Sequence, residues 1–305
     1  MFPAGQRRFV FSSSEDKIRA IETRGAAKAD SLISWMRVAA ESLFATLFPA
    51  DCRLCGTPLV NISRLPVCRD CLSQLRPISG ATCSICGERL VSPYVLAGPD
   101  EPKCGLCRRL QPPFERAVAY GSYQGGLREL IHLFKYEQVR PAASVLGRML
   151  AEAMSDLDGV FDGSCVLVAP VPLHQSKLRQ RGFNHAELIA GAALKLKPGR
   201  LLLKPELLER RRATQSQTGL SRHQRRENIR GAFAVSRSAG LAGAHVLLVD
   251  DVFTTGTTVS ECARILRRAG ASKVWVATVA RTLKAEASFA EVPSREETSL
   301  ATAAG

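Results

Sequence analysis

A thirteen-residue stretch, Val246–Thr258, constrains the fold of this chain more than any other. It reads Val-Leu-Leu-Val-Asp-Asp-Val-Phe-Thr-Thr-Gly-Thr-Thr, so an apolar run leads into two carboxylates and then into a loop of hydroxyls. Apolar residues recur after it at Val259, Cys262, Ala263, Leu266 and Ala269. Spacings of three and four predict one buried face of a helix. The stretch therefore predicts a strand, a loop and a helix, which is the repeating unit of a parallel α/β sheet.

The loop of this stretch is suited to a phosphate. Ligands of open parallel sheets bind beyond the carboxyl ends of the strands, and a loop that opens into a helix presents free N–H groups. Gly256 permits close backbone approach, and hydroxyls flank it at Thr254, Thr255, Thr257 and Thr258. Asp250 and Asp251 would repel an anion, so they suit sugar hydroxyls or a hydrated Mg²⁺. We expect a phosphorylated sugar with a metal nearby; a buried strand with a polar turn is the plainer alternative.

These residues resemble the loop that binds phosphoribosyl pyrophosphate (PRPP) in type I phosphoribosyltransferases. In that family an apolar strand, two acidic residues and a Thr-Gly-Thr phosphate loop follow one another, as they do in Val246–Thr258. The resemblance implies a type I phosphoribosyltransferase-like α/β fold, in which helices cover both faces of a parallel sheet.

Eight of the ten cysteines form four Cys-x-x-Cys pairs between residues 52 and 107. Two intervening residues let both sulfurs face one tetrahedral ion, and two such pairs complete a four-sulfur site. Disulfides are disfavoured because no secretion signal is evident, and the regular spacing favours zinc over an iron–sulfur cluster or a redox dithiol. Sequential pairing predicts two structural zinc ions, and a crossed pairing is the alternative. The predicted ligands are Cys52, Cys55, Cys68 and Cys71 for one ion and Cys83, Cys86, Cys104 and Cys107 for the other.

Charge and hydropathy narrow the class of protein. The 305 residues carry a net charge of +14 with a pI of about 9.7, which attracts nucleic acid, acidic membrane surfaces or phosphorylated substrates. No apolar run approaches the roughly 18 residues of a membrane span, and no apolar signal region follows Arg7 and Arg8. We expect a cytoplasmic protein with no transmembrane segment.

Composition along the chain predicts five segments. We expect a disordered extension at 1–28, a helix at 29–49, a double zinc ribbon at 50–110, the α/β domain at 114–281 and a flexible tail at 282–305. The apolar face of the predicted helix suggests docking on the protein body, with a membrane-surface or partner helix as the alternative.

Two basic segments follow predicted strands. After the strand Val166–Val168, a loop carries Arg179 and Arg181, whose planar guanidinium groups suit a pyrophosphate; a solvated basic turn is the alternative. Seven arginines and one acidic residue then lie between Arg210 and Arg230. They predict a mobile loop or hairpin that closes over an anion, with a disordered insertion as the alternative.

Further motifs resemble the ComF family, double-zinc-ribbon phosphoribosyltransferase-like proteins linked in several bacteria to DNA uptake during natural competence. The resemblance covers about residues 45–281, and His185 departs from it because members commonly carry Gln there. The matching residues are Tyr123, Leu127, Lys135, Pro170-Val171-Pro172, Arg179-Gln-Arg181-Gly182-Phe183-Asn184, Arg212-Ala-Thr214, Gln217, Leu220, Arg225, Asn228 and Phe233.

The resemblance implies PRPP and Mg²⁺ as ligands. Asp250 and Asp251 would contact the ribose hydroxyls and the hydrated Mg²⁺, and 254–258 would hold the 5′-phosphate. Arg212 and Arg225 would belong to the closing loop. The residues implied to meet the pyrophosphate are Lys135, Arg179, Arg181, Gly182 and Asn184.

Three functions follow from these features. The first is a PRPP-binding ComF protein that acts with single-stranded DNA and with a competence or helicase-type protein. The second is a metabolic phosphoribosyltransferase for an unidentified base or amine, and the third is a PRPP-sensing regulator. Glutamine-dependent amidotransfer is not expected, because it needs a glutaminase domain that opens with a catalytic cysteine, and Phe2 follows Met1 here.

Overall fold

The computed structural model describes residues 51–59, 63–90, 101–161, 163–197, 199–214, 222–236 and 240–283. The extension predicted at 1–28, the helix predicted at 29–49 and nearly all of the tail predicted at 282–305 lie outside these residues. The chain divides into two compact units, one ending at Leu72 and the other beginning at Ser73. The first unit contains the cysteines from 52 to 71, and the second contains the remaining cysteine pairs and the sheet.

Helices and strands alternate through most of the second unit. The helices are α1 (Arg69–Ser73), α2 (Gly105–Arg109), α3 (Gly125–Tyr136), α4 (Ala142–Met154), α5 (Gln175–Arg181), α6 (His185–Leu194), α7 (Arg222–Ile229) and α8 (Thr257–Arg268). The strands are β1 (Ala117–Ser122), β2 (Val166–Pro170), β3 (Leu201–Leu203), β4 (Leu208–Arg210), β5 (Phe233–Val235), β6 (His245–Phe253) and β7 (Lys273–Arg281).

Five strands form a parallel sheet in the order β1-β7-β6-β2-β3. The central strands β6 and β7 are almost continuously apolar and buried, as expected of parallel strands covered on both faces. Val246, Leu248, Val274 and Val276 share one core with the buried face of α8. The alternating residues point to the opposite face of the sheet, where α4 packs on β7 and α6 on β6. The predicted parallel sheet with helices is confirmed.

Strand β6 is longer than the sequence predicts. We expected the strand to cover Val246–Val249 and to end at the two carboxylates, but pairing with β7 continues to Phe253 opposite Arg281. The longer strand is possible because β7 itself runs to Arg281 and supplies hydrogen-bonding partners for the backbone of β6 along this length. Asp250 and Asp251 are therefore successive strand residues whose side chains leave opposite faces of the sheet.

Part of the basic loop predicted after Pro172 is helix α5. The side chain of His174 caps it by accepting a hydrogen bond from the Ser176 N–H at 3.3 Å. Gly182 ends it in the left-handed conformation, with φ of 77°.

The arginine-rich segment forms an antiparallel pair of strands, β4 and β5, in which Arg210 lies opposite Phe233. Helix α7 lies between these strands, and 215–221 fall outside the described residues. Among the described helices, each is too short or too polar to cross a bilayer.

Candidate functional site

The two adjacent carboxylates meet different cations. Asp251 Oδ1 lies 2.7 Å from Lys135 Nζ, and both side chains are 14% exposed. Lys135 lies in the last turn of α3, and this contact joins that turn to the end of β6. Asp250 lies within the electrostatic reach of Arg210, at the end of β4. The backbone N–H of Asp251 also donates to Asp250 Oδ1 at 2.9 Å, so the backbone orients the Asp250 carboxylate.

Burial and the neighbouring Asp251 raise the pKa of Asp250 to about 7. Lys135 and Arg210 oppose that rise without cancelling it. Burial alone would lower the pKa of Lys135, but the Asp251 and Asp250 carboxylates hold it above its ordinary value. The lysine is thus a permanent cation beneath the sheet edge, whereas the Asp250 carboxylate changes its charge near neutral pH.

The threonine-rich loop starts helix α8 with an exposed set of donors. Gly256 is the N-cap residue and has φ of 73°, a conformation that favours glycine. A Cβ at this position would lie 2.5 Å from Phe253 Cζ, so the loop rests directly on the Phe253 ring. The hydroxyls of Thr255 and Thr257 are 2.8 Å apart. Free N–H groups and hydroxyls at a helix start form an anion-binding geometry.

The basic segment after Pro172 contributes Arg181 to the same edge. Its guanidinium lies 5.2 Å from the centre of the Tyr136 ring and its Nη1 lies 3.4 Å from His185 Nδ1. Arg179 is exposed on α5. Both arginines lie in the last turn of α5, and the contact with His185 at the start of α6 is made by Arg181.

Asn184 has a structural task in this geometry. Its Oδ1 accepts from the Ala186 N–H at 3.1 Å and caps α6, and its Nδ2 donates to the Val171 carbonyl at 3.2 Å. The amide thereby ties the end of the β2 segment to the start of α6. Asn184 thus shapes the loop, and its predicted contact with pyrophosphate stays a prediction.

His185, the residue that departs from the ComF pattern, is buried against Phe134 and Phe183. Burial lowers its pKa to about 4, and the Asp251 carboxylate counteracts this only in part. The imidazole is therefore neutral at physiological pH. Since Arg181 has no acceptor, His185 Nδ1 serves as the acceptor for that guanidinium.

The arginine-rich segment holds itself together through Arg212. Its Nη2 donates to the carbonyls of Asn228 and Arg230 at 3.0 and 2.9 Å, across the base of the segment. Arg225 lies on α7 and is partly buried. The structure brings Asp250, Asp251, Lys135 and the phosphate loop together, and it uses Arg212 to close the segment on itself.

Two functional neighbours were missing from the sequence prediction. Arg210 approaches Asp250, and burial lowers its pKa while the Asp250 carboxylate works against that shift. Arg281 is 4% exposed at the end of β7, with its guanidinium 4.5 Å from the centre of the Phe253 ring. The sequence signal for Arg281 was its position at the end of a largely apolar strand. No local feature distinguished Arg210 from the arginines that follow it.

The eight paired cysteines form two clusters with the sequential pairing. Within each cluster the sulfurs lie within 4.8 Å of one another: Cys52, Cys55, Cys68 and Cys71 in the first, and Cys83, Cys86, Cys104 and Cys107 in the second. A Zn–S bond of about 2.3 Å places tetrahedral sulfurs about 3.8 Å apart. Cys52–Cys71, Cys55–Cys68 and Cys86–Cys104 are separated by 3.9, 3.8 and 3.7 Å. The donors fit two structural zinc ions, and the crossed pairing is excluded.

The second cluster touches the floor of the phosphate loop through Arg281. Its guanidinium donates to the Cys86 carbonyl, lies 3.7 Å from Cys86 Sγ and pairs with Glu88 at 3.0 Å. The same guanidinium covers Phe253, which supports Gly256. A continuous set of contacts therefore runs from a zinc ligand to the loop.

Comparison with protein families and curated proteins agrees with this geometry. Residues 43–110 match the double zinc ribbon domain and residues 206–295 match the phosphoribosyl transferase domain. DNA utilization protein YhgH of Escherichia coli (strain K12) is 32% identical over 238 residues, which cover 77% of this chain and 98% of that protein. Competence protein F of Haemophilus influenzae is 31% identical over 227 residues, covering 73% and 93%. Competence protein ComFC of Bacillus subtilis is 24% identical over 205 residues, covering 67% and 79%.

Proposed function

Since this chain belongs to the ComF family of double-zinc-ribbon phosphoribosyltransferase-like proteins, we propose that it binds PRPP and acts in the handling of DNA. The observation that carries PRPP binding is the placement of Asp250 and Asp251 at the carboxyl edge of the sheet, directly before a phosphate-type loop. A phosphorylated ribose presents both kinds of group that such an edge can bind: hydroxyls for the carboxylates and a phosphate for the loop.

Each end of PRPP would meet groups of suitable charge. The N–H groups and hydroxyls of 254–258 would hold the 5′-phosphate at the start of α8. The carboxylates of Asp250 and Asp251 would accept hydrogen bonds from the two ribose hydroxyls. Lys135 holds the Asp251 side chain in position through their 2.7 Å contact. Arg179 and Arg181 would meet the pyrophosphate from α5.

The carboxylate pair also suits Mg²⁺. This hard cation takes oxygen ligands and is usually held by one or two carboxylates together with substrate phosphates, which is the donor set at Asp250 and Asp251. When bound with PRPP, Mg²⁺ would neutralise charge on the pyrophosphate. The Asp251–Lys135 contact leaves Asp250 and the second oxygen of Asp251 to accept from water or sugar.

Calorimetry with PRPP and Mg²⁺ tests this proposal. We expect the wild-type protein to bind, and Asp250→Asn combined with Asp251→Asn to lose binding while the fold and zinc content persist. Asp156→Asn, at an exposed carboxylate in the turn that follows α4, is the matched control and should bind normally. Equal PRPP affinity in the double variant and the wild type would rule out this site.

The proposed link to DNA rests on charge and on relatives. The names of two relatives refer to DNA utilization and competence, and this chain carries a net charge of +14. A basic surface that neutralises phosphates releases counterions, so binding should weaken steeply with salt. We expect anisotropy of a labelled single-stranded oligonucleotide to report binding at low salt that is lost at high salt.

Transfer chemistry is tested separately from binding. Release of pyrophosphate from PRPP on addition of a nucleobase or an amine would assign a metabolic phosphoribosyltransferase activity. PRPP binding without pyrophosphate release, together with oligonucleotide binding, supports a DNA-handling protein that uses PRPP as a bound ligand.

A further inference from the structure

A cavity runs from the phosphate loop to the end of α8 and does not include the carboxylates. Its volume is about 650 Å³, and its walls come from the second cysteine cluster, the segment after α2, helix α7, the phosphate loop from Phe253 to Thr257, and α8. Asp250, Asp251, Lys135, Arg181 and Arg210 are absent from its lining. The cavity therefore shares Thr254–Thr257 with the loop proposed for the 5′-phosphate, and it lacks these residues of the ribose and pyrophosphate site.

The lining of this cavity carries more positive than negative side chains. It contains five arginines and three glutamates. Each glutamate lies near one arginine: Arg281–Glu88 at 3.0 Å, Arg264–Glu261 at 2.6 Å and Arg230–Glu227 at 4.0 Å. Within the described residues, no carboxylate lies at ion-pair distance from Arg226 or Arg268, and both side chains are exposed. Arg268 lies within the electrostatic reach of Glu261, but the closer partner of Glu261 is Arg264. The cavity thus offers the exposed guanidinium groups of Arg226 and Arg268 to an anion.

The remaining walls are apolar. Leu106, Pro112, Phe114 and Ile229 line the cavity, and Leu110 does so with 54% of its surface exposed. Ligand pockets of about 300–1,000 Å³ combine apolar walls with a few fixed polar groups. A volume of 650 Å³ accommodates a molecule of the size of a nucleoside monophosphate.

We propose that this cavity binds a small organic anion with a flat apolar or aromatic body, held by Arg226 and Arg268 through its charge and by Leu110 through its body. The proposal does not rest on PRPP binding. Arg268 lies eleven residues beyond Thr257 on α8, a distance of about 16 Å at about 1.5 Å per residue. An anion at Arg268 therefore does not overlap a phosphate at the start of the helix.

The fluorescent dye anilinonaphthalene sulfonate tests the site, because it joins one anion to a flat aromatic body and brightens in apolar surroundings. We expect Arg226→Ala with Arg268→Ala to weaken dye binding about tenfold or more, since two charge-assisted contacts are lost. Leu110→Ser should weaken it through the apolar wall. The uncharged parent phenylnaphthylamine should bind the wild type less tightly and should not respond to the arginine substitutions.

Two controls separate this site from non-specific binding and from the PRPP site. Arg148→Ala removes one positive charge at an exposed position on α4, outside the cavity, and should leave dye binding unchanged. Asp250→Asn should also leave it unchanged, whatever becomes of PRPP binding. Dye affinity that survives the double arginine substitution, or that is lost on Asp250→Asn, would overturn the proposal. Near-ultraviolet circular dichroism and zinc content verify that each variant is folded.

Discussion

Arg281 Nη2 lies 3.0 Å from Glu88 Oε2, and both side chains are at least nine-tenths buried. The two residues are 193 positions apart in sequence. Through this contact β7 holds the turn that contains the zinc ligands Cys83 and Cys86. Because the Arg281 guanidinium also covers Phe253, one buried cation serves the zinc site and the phosphate loop together.

Removing one member of this ion pair should be costly. Arg281→Met removes the guanidinium that lies 3.0 Å from the buried Glu88 carboxylate, and we expect a loss of about 3–5 kcal/mol in the free energy of unfolding. Arg281→Met combined with Glu88→Gln should cost less than Arg281→Met alone, because the negative charge that faced the lost guanidinium is removed as well. Urea denaturation of the two single variants and the double variant measures this coupling. Additive effects would show that the pair is not coupled.

Loss of zinc should weaken PRPP binding only when the ion is lost from the second cluster. We expect metal analysis to find two zinc ions per chain, and one in either Cys83→Ser or Cys52→Ser. Cys83→Ser should weaken PRPP binding, because the knuckle that holds Arg281 and so Phe253 is loosened.

Cys52→Ser is the matched control for this effect. It removes a ligand from the cluster in the other unit, and the contacts traced from Cys86 to Gly256 contain none of that cluster. PRPP affinity that falls equally in both variants would contradict a route through Arg281.

Gly256→Ala should weaken PRPP binding while the protein remains folded. The new Cβ would lie 2.5 Å from Phe253 Cζ at a φ of 73°, so the loop must shift from its anion-binding shape. Gly191→Ala on α6 is the matched control, since its Cβ would approach nothing closer than Leu203 Cδ2 at 4.0 Å. Alanine should favour that helix and leave calorimetric PRPP affinity unchanged. Full PRPP affinity in Gly256→Ala would contradict a tightly fitted loop.

Asp250 makes stability depend on pH. Its pKa is about 7 in the folded protein against an ordinary value of 3.8, so the folded state binds the extra proton between these values. The contribution of Asp250 to stability is therefore present at low pH and is lost as pH rises from about 4 to about 7. Asp250→Asn lacks this titration.

We expect the stability of Asp250→Asn relative to the wild type to increase between pH 5 and pH 8, as measured by urea denaturation. Asp156→Asn, at an exposed position, provides the baseline for replacing a carboxylate by an amide. A difference between Asp250→Asn and the wild type that stays constant with pH would show that Asp250 does not titrate in this range.

Asn184→Ala should destabilise the protein by about 1 kcal/mol, because it removes the cap of α6. Asn184→Asp should lie between Ala and Asn, since it keeps the acceptor for the Ala186 N–H and loses the donor to the Val171 carbonyl. The melting temperatures of the three proteins separate the contribution of the Asn184 amide oxygen from that of its amide nitrogen. Identical melting temperatures would show that neither hydrogen bond contributes.

Contiguous motifs made much of this structure predictable. The Cys-x-x-Cys pairs gave both clusters, and the apolar run before Asp250 gave the central strand and the loop after it. Local sequence could not give the partners of these groups. Lys135 reaches Asp251 across 116 positions and Arg281 reaches Cys86 across 195, and such contacts depend on how distant segments pack. The boundary of β6 was also out of reach, because it depends on how far β7 runs beside it.

The pairing of β1 with β7 has a consequence for biosynthesis. Val118 lies opposite Ala277, so β1 pairs with a strand that is synthesised about 160 residues later. A ribosome that has released the chain only to Gly270 has exposed every zinc ligand but not the strand that separates β1 from β6. Metal loading can therefore precede closure of the sheet, and a nascent chain with zinc but without its final strand would depend on chaperones until translation ends.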